Sequence, residues 1–137
     1  MGTGQKVVID TNVIISAFGW GGKPLEVTEL LEKGEIRNGV SEETLNELII
    51  AISYPKLAFS RKTQSDILEF VLAYSDMYEP QEHLAVASDP EDNKIIECAA
   101  ASNAKVIITG DKGLLSLNHY REINILTPED FLKTRRG

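Results

Sequence analysis

Cysteine is almost absent from this chain of 137 residues, which contains Cys98 alone and so cannot form an internal disulfide. Cys98 lies among apolar neighbours in IIECAAA, a setting that predicts a buried small side chain rather than a reactive thiol. Long apolar runs are missing too. None approaches the roughly 20 residues that span a bilayer, and no apolar core follows the N-terminal MGTGQK. We therefore predict a cytoplasmic protein with no membrane segment.

Basic residues and histidines are also scarce. Lysine and arginine number 14 against 21 aspartates and glutamates, a formal net charge of −7, which argues against nucleic-acid binding through a broad basic surface. The two histidines, His83 and His119, are far apart in sequence, so a zinc site is disfavoured. The excess acids are candidate ligands for other cations, beside the simpler explanation of a soluble acidic protein.

The length of the chain predicts a single domain over residues 1–137. A chain of this size buries roughly two thirds of the surface that its unfolded form exposes, so it needs no disulfide. Neither a low-complexity linker nor a repeat of fixed period interrupts it. Residues 1–5 are expected to be disordered or derived from cloning.

Short apolar strands alternate with helical segments along the chain. The predicted strands are KVVID, IRNGV, a short segment near 77–79, AKVIITGD and INIL. A glycine-rich turn is predicted over 19–24, and the predicted helices cover 12–18, 24–34, 41–53, 60–75, DPEDNKIIECAAA and TPEDFLK. This alternation predicts the α/β class, with a parallel sheet covered by helices on both faces.

Acidic residues follow two of the apolar strands. Asp10 ends KVVID and Asp111 ends VIITGD. The carboxyl ends of parallel strands meet at one edge of a sheet, so both acids are expected at the same edge. Asp92 lies at the start of the helix that leads into the second of these strands, with Asp89 three residues before it.

A glutamate from another helix can join these acids. Glu47 and Glu43, one turn earlier, lie away from the apolar stripe of their helix. Several carboxylates stay ionised together in a small space only when cations join them, because each raises the pKa of the others. Such oxygen ligands suit Mg²⁺ or Mn²⁺. The residues alone leave open whether Asp89 or Asp92, and Glu43 or Glu47, belong to the site.

Each acid also has an ordinary structural explanation. The segment DPED can be a plain helix start, in which Asp89 is the cap and Asp92 the third helical residue. Asp10 and Asp111 can likewise cap the helices that follow them, and Glu47 can be a solvated helix residue. The joint arrangement, rather than any single acid, favours a metal site.

Four sequence blocks resemble the PIN domain family of metal-dependent ribonucleases. VVIDTNVIISA is similar to the family's opening strand with its first acid, and VSEETLNEL to its second block. SDPEDNKIIECAAA is similar to the third block and VIITGDKGLL to the fourth. The resemblance selects Glu47 rather than Glu43, and Asp92 rather than Asp89. The catalytic and metal-binding residues that it implies are Asp10, Glu47, Asp92 and Asp111.

The resemblance runs from about Lys6 to about Phe131. It implies a three-layer α/β/α sandwich, with one or two Mg²⁺ or Mn²⁺ ions at the four acids. Thr11, Asn12 and Thr109 would orient the carboxylates; ordinary hydrogen bonding at strand ends is the alternative. The reaction would be hydrolysis of RNA to a 5′-phosphate and a 3′-hydroxyl. Many family members are toxins of toxin–antitoxin pairs, which implies a homodimer and an antitoxin partner.

Basic residues after the second helix and at the tail are candidate contacts for RNA phosphates. Isolated surface charges are more often only solvated, which is the alternative for Lys56, Arg61, Lys62, Lys133, Arg135 and Arg136. Trp20, in the glycine-rich turn, is expected to pack against the domain or an interface rather than to stack on a base.

Two other functions fit parts of the pattern. A phosphohydrolase of the haloacid dehalogenase type also has an aspartate after its first strand. The second aspartate of that type, two residues on, is Asn12 here, which removes the usual general acid. The other alternative is a catalytically inactive PIN-fold interaction module; such modules usually lose an acid, whereas all four are present in this chain. Fold alone does not establish function.

Overall fold

The apolar run near the N-terminus forms strand β1 (Gln5–Ile9), which lies inside a larger sheet. In a computed structural model that describes residues 4–136, this sheet has six strands, the others being β2 (Ile36–Val40), β3 (Ser75–Met77), β4 (Val106–Ile108), β5 (His119–Tyr120) and β6 (Ile123–Leu126). Their order is β3-β2-β1-β4-β6-β5, and all neighbours are parallel except β5 and β6. The predicted parallel sheet is confirmed, with one antiparallel strand at its edge.

Helices cover both faces of the sheet. They are α1 (Thr11–Trp20), α2 (Gly22–Glu32), α3 (Glu42–Ile52), α4 (Arg61–Tyr74), α5 (Pro90–Ser102), α6 (Lys112–Leu115) and α7 (Pro128–Arg136). A short 3₁₀ helix, Pro55–Leu57, follows α3. The predicted three-layer α/β/α architecture is therefore confirmed. No helix within residues 4–136 combines the length and the apolar character needed to cross a membrane.

Alternation along β1 divides the apolar core between the two faces of the sheet. Val7 and Ile9 belong to a cluster with side chains from α1, α2, α3, α4 and α7, whereas Val8 belongs to a second cluster with α5 and α6. Cys98 is in this second cluster, where burial raises the pKa of its thiol to about 12. The expected buried small side chain is thus observed.

Hydrogen bonds at helix starts explain where several helices begin. Ser41 and Thr44 form a reciprocal capping box at α3, with Thr44 N donating to Ser41 Oγ at 3.2 Å. Asp89 caps α5 by accepting from Glu91 N at 3.0 Å. Asn103, with φ of 57°, ends the same helix in the left-handed conformation. These capping interactions determine where α3 and α5 begin, and these are the helices that carry Glu47 and Asp92.

The prediction of a glycine-rich turn over 19–24 is wrong. Helix α1 continues through Trp20, and α2 begins at Gly22, so the break between them is the single residue Gly21. Gly21 adopts φ of 77°, which glycine reaches without the steric cost that other residues incur. Gly22, the first residue of α2, also has a positive φ of 67°, so two adjacent glycines form the break that was predicted over six residues.

The edges of the sheet also differ from the prediction. Strand β3 follows α4 directly and ends at Met77, whereas a strand near 77–79 was expected. Neither α6 nor β5 was predicted, because segments of four and two residues are too short to show a period. Of the N-terminal segment expected to be disordered or cloning-derived, residues 1–3 lie outside the described residues, and Gln5 opens β1.

Candidate functional site

The candidate site lies at β1 and β4, the two neighbouring strands at which the order of the strands changes from one side of the sheet to the other. From β1 the chain proceeds to β2 and β3 on one side, whereas β4, β6 and β5 lie on the other. Such a switch point opens a crevice at the carboxyl ends of the strands. The register pairs Ile9 with Ile108, so Asp10 and Thr109 leave neighbouring strands side by side. Asp10 N donates to Ile108 O at 2.9 Å, which fixes the start of the loop.

Thr109 connects the two aspartates that follow these strands. Its hydroxyl donates to Asp10 Oδ2 at 2.7 Å and accepts from Asp111 N at 3.0 Å, and the side chain is fully buried. Burial raises the pKa of Asp10, while the Thr109 bond and the backbone N–H groups of Asn12 and Thr11 act in the opposite direction. Asp10 thus lies in a buried, hydrogen-bonded position and accepts no bond from a basic group within residues 4–136.

The other two predicted orienting residues contact Asp10 only through their backbone. Asn12 N lies 3.4 Å from Asp10 Oδ1, and the Asn12 side chain is exposed. The Thr11 side chain is buried. Of the three residues, Thr109 alone makes a side-chain hydrogen bond to one of the four acids within the described part of the chain.

Asp92 and Asp111 form a carboxylate pair. Asp92, in the first turn of α5, is 9% exposed, and burial together with the charge and the hydrogen bond of Asp111 raises its pKa to about 6. Asp111 caps α6 by accepting from Leu114 N at 2.9 Å. A Cβ placed on Gly113 would lie 3.0 Å from Asp111 Oδ2 and 3.3 Å from Asp92 Oδ2, so both oxygens lie against this glycine. Sequence analysis did not identify Gly113.

Glu47 completes the acidic cluster from α3, which packs against α1 and α5. Its Oε2 atom is buried and has no hydrogen-bond partner among the described residues. Burial raises the pKa of Glu47, and the charges of Asp10 and Glu91 add to the effect, whereas Lys94 opposes it. Burying a carboxylate oxygen without a hydrogen-bond partner costs free energy of folding, so a ligand bound to this atom would stabilise the protein.

The two acids that the sequence left as alternatives have different surroundings. Asp89 is exposed and caps α5, as the ordinary structural explanation requires. Glu43 is exposed on α3, one turn before Glu47. Asp92 and Glu47 are the more buried members of their pairs, so the structure gives them the environment in which a carboxylate needs a compensating charge.

The donor set fits a hard divalent cation. Asp10, Glu47, Asp92 and Asp111 offer only carboxylate oxygens, which Mg²⁺ and Mn²⁺ prefer, and the Glu47 Oε2 atom has no hydrogen-bond partner within residues 4–136. In the same part of the chain, no three aspartate, glutamate, histidine or cysteine side chains are arranged so that together they could hold a metal ion. The acids interact instead through pairs, Asp92 with Asp111 and Glu47 with Asp10.

A groove extends from Asp111 away from the other acids. It has a volume of about 780 Å³ and runs between α1, α2 and the starts of α6 and α7. Lys23 and Lys112 line it, and sequence analysis identified neither. The position of Lys112, directly after Asp111 in sequence, was the signal available for it.

Two of the candidate contacts for RNA phosphates, Arg135 and Lys62, have partners within the protein. Arg135 donates to Gln5 Oε1 at 3.0 Å, at the opposite edge of the sheet, where β1 begins. Lys62 pairs with Asp66 at 3.0 Å on α4. Trp20 is 71% exposed at the end of α1, so it does not pack against the described part of the domain as one of its predicted roles required.

Comparison with known proteins identifies the family. The PIN domain profile matches residues 6–113, a range that includes all four acids. An uncharacterized protein of Methanocaldococcus jannaschii is 37% identical over 140 residues, covering 93% of this chain and 90% of the relative. The crystal structure of VapBC2 from Rickettsia felis bound to a promoter DNA fragment matches with a TM-score of 0.60, at 16% identity, over 88% of this chain and 97% of that one. The chain belongs to the PIN domain family.

Proposed function

We propose that the protein is an endoribonuclease that hydrolyses RNA phosphodiester bonds with Mg²⁺ or Mn²⁺ held by Asp10, Glu47, Asp92 and Asp111. The observation that carries this proposal is the buried Oε2 atom of Glu47, which has no hydrogen-bond partner among the described residues and lies near the charge of Asp10. Membership of the PIN domain family supports the same activity. A cluster of acids at the switch point of an α/β sheet is also the expected location for a site.

The side chains of the site have separate tasks in this proposal. The four carboxylates provide negative charge for the cation, and Thr109 fixes the orientation of Asp10 through its 2.7 Å hydrogen bond. When bound, the cation supplies positive charge that lowers the pKa of a water molecule and neutralises phosphate oxygens. No side chain has to act as a covalent nucleophile. The products are a 5′-phosphate and a 3′-hydroxyl.

The cellular role that we propose is that of a toxin in a toxin–antitoxin pair. The VapBC2 structure, a complex bound to a DNA fragment from its promoter, has the same fold as this chain. An antitoxin protein, a homodimer and a cytoplasmic location belong to this proposal. A small open reading frame directly upstream of the gene would support the toxin role.

Cleavage of a mixed panel of single-stranded RNAs in Mg²⁺, Mn²⁺ or EDTA tests the nuclease activity. Asp92→Asn is expected to abolish metal-dependent cleavage. The matched control is Asp89→Asn, three residues away, where the exposed aspartate caps α5 and asparagine caps equally well.

The result distinguishes the nuclease from both alternatives. Cleavage that requires the metal and Asp92 but not Asp89 supports the proposal. Metal binding without cleavage of any RNA would favour an inactive PIN-fold interaction module. Trapping of an aspartyl-phosphate on Asp10 would favour the phosphohydrolase of the haloacid dehalogenase type.

A further inference from the structure

The groove beside Asp111 is continuous with the acidic site. Asp111 belongs both to the carboxylate cluster and to the lining of the groove, so a polymer bound at the acids has a direct path into it. Its volume of about 780 Å³ is in the range of cavities that hold small organic molecules. A space of this size can hold part of a nucleotide chain that leaves the acids.

The lining of the groove combines positive charge with apolar surface. Lys23 and Lys112 contribute the cations, and Val13, Pro24 and Pro128 contribute apolar faces. Lysines neutralise phosphates, whereas apolar faces suit sugars and bases. The groove thus has a chemical character that the carboxylate cluster lacks.

The lysines of the groove are available for a ligand. Lys112 is exposed and makes no ion pair within residues 4–136. Lys23 pairs with Glu26 at 3.4 Å, and both side chains are 44% exposed, so the pair is weak and easily exchanged for a phosphate. The acidic Glu129 at the groove is paired with Lys133 at 3.5 Å, which reduces its repulsion of an anion.

Many of the other basic residues are occupied by intramolecular partners. Arg37 pairs with Asp76 at 2.6 Å, and Arg121 pairs with Glu82 at 2.7 Å. In a chain of net charge −7, the groove brings together two lysines, of which Lys112 makes no ion pair within residues 4–136 and Lys23 makes only the weak pair with Glu26. Both lie next to the acids at which cleavage is proposed.

We infer that Lys23 and Lys112 on this groove each contact a backbone phosphate of the RNA that flanks the scissile bond, and so position it at the acids. The inference rests on the proposed nuclease function. It extends that function by naming two residues that position the substrate.

Binding of a fluorescein-labelled 12-nucleotide RNA to the Asp92→Asn protein, in which turnover is blocked, tests the inference. The double substitution Lys23→Ala/Lys112→Ala is expected to weaken binding about 10-fold and to reduce the slope of log K against log salt by about 1.4, or 0.7 for each lost phosphate contact. The control is Lys33→Ala/Lys105→Ala, which removes the same charge from exposed lysines next to the amino ends of β2 and β4.

The outcomes separate the groove from the catalytic proposal. A reduced slope in the groove variant alone supports the inference. Equal slopes in the groove and control variants would overturn it. Wild-type protein that cuts no RNA but binds it through the two lysines would refute the nuclease and still support the groove.

Discussion

The sheet has an amino edge, where the parallel strands begin, and a carboxyl edge, where they end, and charged side chains are paired differently at the two. At the amino edge, Arg135 bonds Gln5 at 3.0 Å and lies 3.4 Å from Glu35, so opposite charges lie together. At the carboxyl edge, Asp10 accepts hydrogen bonds from the Thr109 hydroxyl and from Asn12 N, and Asp111 accepts one from Leu114 N. Within residues 4–136 neither carboxylate accepts a hydrogen bond from a basic side chain. Paired surface charges contribute little to stability, whereas clustered acids oppose it. The carboxyl edge therefore has an arrangement that folding alone does not favour.

Comparison of Glu47 with Glu43 gives the largest expected effect. Glu47→Gln is expected to reduce metal-dependent RNA cleavage by at least about 100-fold, because it removes a ligand charge while it keeps the shape. Glu43→Gln, one turn earlier on the exposed part of α3, is expected to change cleavage less than about twofold. Initial rates at saturating Mn²⁺ measure both. Equal losses would mean that Glu47 is not the ligand.

Substitution of Thr109 tests the orientation of Asp10. Thr109→Val removes the donor to Asp10 Oδ2 and is expected to lower cleavage about 10-fold, as loss of a group that positions a metal ligand typically does. Thr28 is a matched control, since it is also buried and its hydroxyl donates to Leu25 O within α2. Cleavage by Thr28→Val at wild-type rate, with Thr109→Val impaired, is the expected pattern. An unimpaired Thr109→Val protein would remove Thr109 from the site.

The raised pKa of Asp92 predicts a pH dependence of stability in EDTA. Its folded pKa of about 6 exceeds the ordinary value of 3.8, so its favourable contribution is complete below pH 3.8 and is lost as pH rises through about 6. At pH 7 in EDTA, Asp92→Asn is therefore expected to be more stable than wild type by about 1 kcal/mol, or a few degrees in Tm. Thermal unfolding from pH 4 to pH 7 measures the difference.

The same measurement has two checks. Asp89→Asn is expected to change the pH dependence much less than Asp92→Asn does, because Asp89 is exposed and its charge is a smaller cause of the raised pKa of Asp92 than burial and Asp111 are. Added Mg²⁺ at pH 7 is expected to stabilise wild type and to have less effect on Asp92→Asn, since binding to the folded state alone shifts unfolding. Identical curves for wild type and Asp92→Asn would show that burial and the neighbouring acids do not raise the pKa of Asp92.

Gly113 gives the smallest expected effect. A methyl group there would lie 3.0 Å from Asp111 Oδ2, so Gly113→Ala is expected to displace the carboxylate and lower cleavage about threefold to tenfold. Gly19→Ala in α1 is the control, because its Cβ would approach the Phe59 ring no closer than 3.4 Å, an ordinary contact. Metal titration of both variants shows whether the loss lies in affinity. Full activity of Gly113→Ala would show that the carboxylates tolerate displacement.

Much of the fold could be predicted because its signals are local. The continuous apolar runs before Asp10 and Asp111 are typical of strands buried on both faces, and Ser41 and Asp89 cap helices as their sequence context indicates. The prediction of the turn between α1 and α2 was wrong for a physical reason. The break between α1 and α2 depends on the positive φ angles of Gly21 and Gly22, 77° and 67°, which hydrophobic periodicity does not predict.

The site was only partly accessible to sequence reasoning. Strand ends indicated Asp10 and Asp111, but the choice of Glu47 over Glu43 came from family resemblance, since both lie on the same side of α3. The bond from Thr109 to Asp10 joins residues 99 positions apart, and it required the register of β1 with β4. The groove lysines were missed because Lys23 and Lys112 meet only through packing of separate helices.

Binding of Mn²⁺, measured by isothermal titration calorimetry at neutral pH, tests most directly whether the acids of the carboxyl edge share a cation. Wild type is expected to bind Mn²⁺, and Asp10→Asn is expected to remain folded while its affinity falls by at least about 10-fold. Arg135→Ala, at the amino edge, is expected to bind as wild type does. Absence of binding, or equal affinity in wild type and Asp10→Asn, would contradict the account and leave Asp10 as the cap of α1.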